Sequence, residues 1–490
     1  MISRFSDLPI FHRYANLGPL FGTPTRPTPL QSPFLVSFNP DVARLLGLDT
    51  AIANDPDAVR FFSGAEIFPG SRPVAMRYTG HQFGQYNPEI GDGRAILLGE
   101  VRGTDGKFYE LHLKGAGRTA YARIFDGRAV LRSTIREYLC GEAMHGLGIP
   151  TTRSLCIIGS QEPVRRETME TGANLVRVAE SHVRFGSFEP HFERNDADAI
   201  RTLADGVIGD HFPEAAELAG EDRYAAFLHG VVNRTARLIA DWQAIGFAHG
   251  VMNTDNMSIL GLTLDYGPYG FLEAYDPGHI CNHSDRMGRY AFNRQPPIAL
   301  WNLQVLALAL SPVLSRERSA DIVARFVPTF ESAWQERMRR KLGLRESREE
   351  DAELIRDLMD LMAERRVDYT PFFRDLGNFH SRPVPKHMPH PLDQDPAFEQ
   401  WREAYRKRLQ SEGSVDAFRK TAMDRVNPKF VLRNYMAEIA IRKATEDGDY
   451  GEIERLRQLL SAPFGEHPDA EEYAGPPPEW GRHLVVSCSS

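Results

Sequence analysis

The stretch HGVMNTDNMSILGLTLDYG, residues 249–267, decides the fold. It opens on His249, reaches Asn256, and closes on Asp265-Tyr266-Gly267. Asn256 and Asp265 carry hard oxygen donors. Mg²⁺ takes a few of these and completes its shell with phosphate and water. Asp255 is the only acid between His249 and Asp265. A hydroxyl acceptor needs a carboxylate close by to receive its proton, and Asp255 is placed for that role. A loop-capping or turn role is the alternative, and proximity to the two oxygen-bearing residues favours the proton acceptor.

The order and spacing are those of a protein-kinase catalytic loop, H-R-D-L-x-x-x-N followed by D-F-G. Where such a loop has its catalytic Asp, this chain has Val251. His249 falls in the structural His slot and reads as a packed scaffold residue rather than a base. Either the loop is inert, or it serves altered chemistry.

Upstream, RYAAFLHGVVNRTARLIADWQAIGF (223–247) carries an apolar stripe at helical spacing and runs straight into the loop. Downstream, 319–344, 349–367, 396–413 and 430–461 read as amphipathic helices with solvated charged faces. Nearer the N-terminus the period changes. RAILLGEV (94–101) and FYELHLKG (108–115) read as strands joined by a turn at RGTDGK, and TRSLCIIGS and ANLVRVAES as further strands. Residues 129–150 between them read as a helix ended by Gly146, Gly148 and Pro150. The expected class is α+β, a bilobal protein-kinase-like fold with a β-rich N-lobe, a helical C-lobe and a helical C-terminal extension. The expected divisions are a Pro- and Gly-rich irregular lead-in over 1–60 that wraps the core, an N-lobe over 61–185, a C-lobe with the catalytic and metal-binding loop over 186–390, and the extension with a cysteine-bearing tail over 391–490. PFGEHPDAEEYAGPPPEW, within that tail, reads as an extended surface segment.

Nucleotide chemistry needs more than one loop. In GHQFGQYNPEIGDGRAILLGE (80–100), Gly84, Gly91 and Gly93 permit close backbone approach, and free amides in such a turn can cradle phosphate. Strand alternation sets Leu111 and Leu113 on one face and Glu110, His112 and Lys114 on the other. Glu137 lies on the helix that follows. A strand Lys held by a helix Glu is how protein kinases fix a phosphate contact, and the downstream loop favours that reading over two ordinary surface charges. Arg177 and Arg184 flank VAESHV. Their forks suit polyphosphate, and surface pairing suits them equally. Asp126, in Asp126-Gly127-Arg128, either caps the Glu137 helix or reaches the nucleotide.

Bulk composition excludes several classes. The 490 residues hold 42% apolar and 25% charged residues, as in an ordinary globular protein. A net charge of −8 argues against a broad nucleic-acid-binding surface. IALWNLQVLALALSPVL (298–314) is short and contains Asn302 and Gln304, so it reads as a buried helix and not a membrane span. The first twenty residues make a poor secretory signal, so the expected location is cytoplasmic. Cys140, Cys156, Cys281 and Cys488 form no C-x-x-C pair, which argues against structural zinc. Cys488, in VVSCSS, reads as a mobile, reactive terminal thiol.

GHQFGQYNPEIGDGRAILLGE, LHLKGAGRTAYARIFDGRAVLRSTIREYLCGEAM, LVRVAESHVRFGSFE, GFAHGVMNTDNMSILGLTLDYGPYGF and NPKFVLRNYMAEIAI together resemble the selenoprotein O family of pseudokinases. The resemblance implies a kinase-like fold that binds ATP in a flipped orientation and transfers AMP to Ser, Thr or Tyr hydroxyls of proteins, releasing pyrophosphate. It implies nucleotide contacts from Gly91, Gly93, Arg94, Lys114, Asp126, Gly127, Arg177 and Arg184. It implies Asp255 as catalytic acid/base, Asn256 and Asp265 as ligands of Mg²⁺ or Mn²⁺, and Glu137 as the residue orienting Lys114. The competing readings are a conventional ATP-dependent phosphotransferase and a nucleotide-binding pseudokinase without turnover. Cys281 lies in DPGHICNHSDRMGRY, where kinases carry an activation segment. A tail thiol at Cys488 that reached it would restrain the segment by a disulfide; two unrelated thiols are the alternative. No segment identifies the modified proteins, the oligomeric state, or Mg²⁺ over Mn²⁺.

Overall fold

In the computed structural model, which describes residues 1–382, 392 and 395–487, the alternating stretches at 94–115 pair as a buried hairpin. The strands of the first lobe are β1 (Gly22–Pro24), β2 (Phe34–Phe38), β3 (Val74–Met76), β4 (Gly80–Gln82), β5 (Gln85–Asn87), β6 (Ala95–Arg102), β7 (Phe108–Lys114), β8 (Ala129–Val130), β9 (Arg153–Arg165) and β10 (Met169–Ala179). The main sheet runs β1-β3-β6-β7-β10-β9-β2, with β8 beside β10. β4 and β5 form a separate hairpin.

Register then sorts the side chains. Leu113 stands opposite Ile96 on one side and Val176 on the other. Leu111 and Leu113 enter a core with Ile96, Leu98, Val176 and Val178. Glu110, His112 and Lys114 therefore face the other way, as alternation requires. The lead-in adds β1, β2 and two short helices, α1 (Pro40–Leu45) and α2 (Pro56–Phe62), to the sheet. Each starts on a capping side chain, Asn39 and Asp55, with Pro in the first turn. Helix α3 (Leu131–Gly146) is buried from Ser133 to Met144 and packs on β9 and β10.

The second lobe is helical. Gly220–Ile245 ends at Gly246, whose left-handed φ of 76° stops the helix just before the catalytic loop. The strand pair β11 (Phe247–Ala248) and β12 (Gly270–Phe271) closes that loop at its base. Two stretches that read as single helices are interrupted. Residues 319–344 divide into Arg316–Val323 and Phe326–Lys341, because Pro328 is tolerated only in a first turn. Residues 430–461 divide into Asn434–Arg442 and Gly451–Ser461, with Gly448 left-handed between them. The tail also holds short turns at Pro468–Tyr473 and Glu479–His483, with Ala470 and Tyr473 buried. The whole is α+β and kinase-like: a β-rich lobe, a helical lobe and a helical continuation. Among the described residues no helix is long and apolar enough to cross a membrane.

One buried cation sets a testable stability. Lys341 is 4% exposed, and its Nζ lies 4.2 Å from the Phe373 ring centroid and 5.2 Å from that of Tyr369. Burial lowers its pKa to about 7. The folded state thus resists protonation that the unfolded chain accepts up to its ordinary value near 10.4. Stability rises with pH between about 7 and 10, and the penalty is full below that window. Lys341→Met is expected to raise the melting midpoint at pH 7 by a few °C and to flatten that slope. An unchanged slope in denaturant titrations at pH 7 and 9.5 would count against it.

Candidate active site

Between the lobes opens a cleft of about 740 Å³, within the usual range for a small-molecule site. Gly91, Gly93, Arg94, Lys114, Asp126, Gly127 and Arg177 line it from the first lobe. Asp255, Asn256 and Asp265 line it from the second. Every candidate nucleotide or metal residue is present in its wall except Arg184, which stands behind Asp265. Glu137 stands behind Lys114.

These charges form one chain. Lys114 Nζ meets Glu137 Oε2, and Arg177 Nε meets Glu137 Oε1. Arg177 Nη2 lies 2.6 Å from Asp265 Oδ1, and Arg184 Nη1 meets Asp265 Oδ2. Arg184 also donates to the Asp255 carbonyl at 2.7 Å and covers the Tyr78 ring at 4.4 Å. Three cations alternate with two carboxylates, so the chain keeps a positive surplus facing the cleft. Burial alone would raise Glu137, but Arg177 and Lys114 outweigh it and hold the carboxyl below its usual range. Asp265 is held well below for the same reason, by Arg177, Arg184 and Lys114. Burial lowers Lys114 to about 8, against the pull of Glu137. A polyphosphate would restore the missing counter-charge.

Backbone shape completes the first-lobe wall. Gly91 has φ 158°, and a Cβ there would stand 2.6 Å from the Tyr121 ring. Gly127 has φ 75°, and a Cβ would strike the Gly117 carbonyl. Only glycine permits this approach. Asp126 does not cap α3, whose N-cap is Val130. It accepts from Arg128 N at 2.8 Å and pairs with Arg166. Arg94 is exposed at the mouth, and its carbonyl accepts from Gly115 N.

The catalytic loop is fixed from below. His249 is buried, stacks on Trp242 and bonds the Leu264 carbonyl through Nε2 at 2.9 Å. It is the scaffold residue that its slot suggested. Asp255 is 7% exposed, and its Oδ1 has no hydrogen-bond partner among the described residues. Burial raises its pKa to about 7, with Arg184 opposing. A carboxylate near neutrality that borders the cleft suits proton acceptance. Asn256 donates Nδ2 to the Val251 carbonyl at 2.9 Å, which leaves Oδ1 as its donor atom for a cation. Asp265 holds a left-handed φ of 58°, rare for a residue other than glycine. Asn256 and Asp265 offer hard oxygens of the kind Mg²⁺ or Mn²⁺ takes, with both Asp265 oxygens paired to Arg177 and Arg184 in this structure, so a cation there would have to share them with the two guanidinium groups. Among the described residues no group of three or more His, Cys, Asp or Glu forms a closed metal site.

Sequence reasoning overlooked Gln82, Phe83, Tyr121 and Phe125, all in the cleft wall. Gln82 and Phe83 lie in the first glycine-rich stretch, whose glycines drew attention from its side chains. Cys281 is half-buried, with Sγ 3.5 Å from the Ala248 carbonyl. Its expected partner Cys488 lies outside the described residues.

A β-rich and a helical lobe, with a buried Lys–Glu pair and the oxygens of Asn256 and Asp265 at the cleft between them, are parts a nucleotide-dependent transferase needs. The chain belongs to the SelO family: the family model described as protein adenylyltransferase SelO matches residues 4–461. It is 57% identical over 484 residues to the protein nucleotidyltransferase YdiU of Myxococcus xanthus, covering 97% of this chain and 98% of that one. It is 53% identical over 496 residues to the YdiU of Thioalkalivibrio sulfidiphilus, covering 99% and 100%. Among solved structures, ROP2 of Toxoplasma gondii, a virulence factor with a protein-kinase fold and no enzymatic activity, aligns over 70% of this chain and 84% of its own. The TM-score is 0.24 and the identity 11%, a likeness too slight to bear on the site.

Proposed function

We propose that this chain is a protein adenylyltransferase that moves AMP from ATP to Ser, Thr or Tyr hydroxyls of proteins and binds ATP reversed relative to a kinase. The observation that carries the reversal is a division of the inter-lobe space. In a kinase the base sits against the segment linking the lobes, here 180–184. A separate cavity of about 850 Å³ lies there, lined by Glu100, Glu110, Ser181, Val183, Leu260 and Leu262. It shares no lining residue with the cleft that holds Lys114 and Asp265. On β7, Glu110 faces one cavity and Lys114 the other, with His112 between them fully buried and stacked on His182 at 4.5 Å. A triphosphate starting in the hinge-side cavity would meet that wall. A nucleotide with its phosphates at Lys114 and Arg177 can set its base toward Tyr121, Phe125 and Asp126, at the mouth.

In that pose the α-phosphorus is the one presented to Asp255. The acceptor oxygen bonds to it, its proton passes to the Asp255 carboxylate, and the bond from the α-phosphorus to the bridging oxygen breaks. Pyrophosphate leaves with the electron pair. Lys114 and Arg177 hold the polyphosphate and Arg184 braces Asp265 from behind, so the chain supplies mainly position and positive charge. Asn256 and Asp265 would hold Mg²⁺ or Mn²⁺, which when bound adds charge neutralisation on the phosphates.

Labelled ATP tests this. Radiolabel at the α-position is expected to enter protein and label at the γ-position is not. Transfer of γ-label would establish a conventional phosphotransferase, and transfer of neither a binding scaffold.

A further inference from the structure

The β4–β5 hairpin lies directly on the loop that carries Asp255. His81 N donates to Thr254 Oγ1 at 2.8 Å, and Phe83 N to Asn253 Oδ1 at 3.3 Å. The intervening Gln82 brings Nε2 to 3.5 Å from Asp255 Oδ2. Three consecutive residues of the hairpin thus address three consecutive residues of the loop. The approach is close enough that a Cβ at Gly80 would stand 2.6 Å from Asp255 Oδ1. Gln82 is itself oriented: Asn87 Nδ2 donates to its Oε1 at 3.0 Å, which turns the amide NH₂ toward Asp255.

A third element locks the pair. Tyr290, buried and beyond the D-Y-G, accepts from Phe83 N at 2.9 Å and donates its hydroxyl to Asn253 Oδ1 at 2.6 Å. Its own nitrogen is held by Asp285 Oδ2 at 2.7 Å. One hydroxyl therefore joins hairpin, catalytic loop and downstream segment. Such a hub, next to an acid whose Oδ1 is left without a partner, matches what a transfer site needs. One carboxylate oxygen is steered and the other stays open to the acceptor's proton.

We infer that the β4–β5 hairpin is a working part of the transfer site, with Gln82 and Tyr290 as positioning residues that aim the Asp255 carboxylate at the acceptor. This rests on the adenylyltransferase reading above. The test uses the full chain, α-labelled ATP and incorporation of label into the chain's own hydroxyls. Tyr290→Phe and Gln82→Leu are each expected to lower kcat about tenfold while KM for ATP stays within about twofold. Since both act on one clamp, the double variant should be scarcely slower than the slower single, instead of showing the roughly hundredfold product. Asn87→Ala, which reaches Asp255 only through Gln82, should lower kcat by about threefold and add nothing in the Gln82→Leu background. It keeps the test decisive should Tyr290→Phe melt early. Wild-type kcat in the single variants, losses that multiply, or a KM that rises in step with the lost rate would each overturn the inference. Absence of α-label from both the chain and added lysate protein in the wild type, or full rate in Asp255→Asn, would instead refute the underlying reading.

Discussion

Asp255→Asn is expected to lower AMP transfer by about 10²–10⁴-fold while ATP still binds and the fold holds. The substitution keeps shape and removes the ability to take a proton. It spares the Asp255 carbonyl, which is the atom that receives Arg184. The buried side chain loses a charge that burial disfavours, so melting should not fall. The wild-type rate should also depend on pH in one direction. A base works only when deprotonated, and burial brings this carboxyl to about 7. Transfer should therefore rise as pH climbs through neutrality, and Asp255→Asn should flatten that limb. Initial rates across pH 5.5–9 check both points. A variant running at half the wild-type rate or better would remove Asp255 from the chemistry.

The sequence made the site legible where chemistry demands particular residues in a fixed order. Lys114, Glu137, Asn256 and Asp265 are assigned from order and spacing; β7 and the loop below Gly246 wall one cleft, and Glu137 on α3 reaches Lys114 from behind it. The strands at 94–115 were legible as short apolar runs on either side of a turn; β6, buried on both faces, shows no alternation, and β7 sets Leu111 and Leu113 against Glu110, His112 and Lys114. Arg177 and Arg184 could not be decided from sequence. Their partner Asp265 lies 88 and 81 positions away in the chain, and only folding makes the ion pairs. Asp126 stood open between a helix cap and a nucleotide contact; the backbone turns first at Gly127, and the cap falls at Val130. The helix breaks before Pro328 and at Gly448 were written in those residues and masked by continuous amphipathic patterning. Tyr290 and Gln82 gave no signal, since hydrogen bonds from a hairpin to a distant loop leave no local period.

Glu137→Ala should be the most damaging substitution for stability among the site residues. Glu137 is 2% exposed and is gripped on one side by Lys114 and on the other by Arg177, whose side chains are 6% and 5% exposed. Removing the carboxylate leaves two buried cations facing each other. Breaking a buried pair this way costs about 3–5 kcal/mol, and in a chain of 490 residues each kcal/mol moves the midpoint by about 1 °C. A fall of about 3–5 °C follows. Lys114→Ala breaks the same network with a different result. Glu137 then keeps Arg177, and Arg177 keeps Asp265, so no buried charge is stranded. It should melt near the wild type yet lose most transfer, because the polyphosphate loses its contact. The two variants thus separate two roles of one ion pair: activity falls in both, stability chiefly in Glu137→Ala. Glu137→Gln should lie between, since it retains the shape and the acceptor oxygen without the charge. Melting curves with parallel label-transfer assays decide it. If Glu137→Ala melts with the wild type, Lys114 and Arg177 do not depend on this carboxylate, and the charge chain from Lys114 to Arg184 is not the unit that holds the cleft.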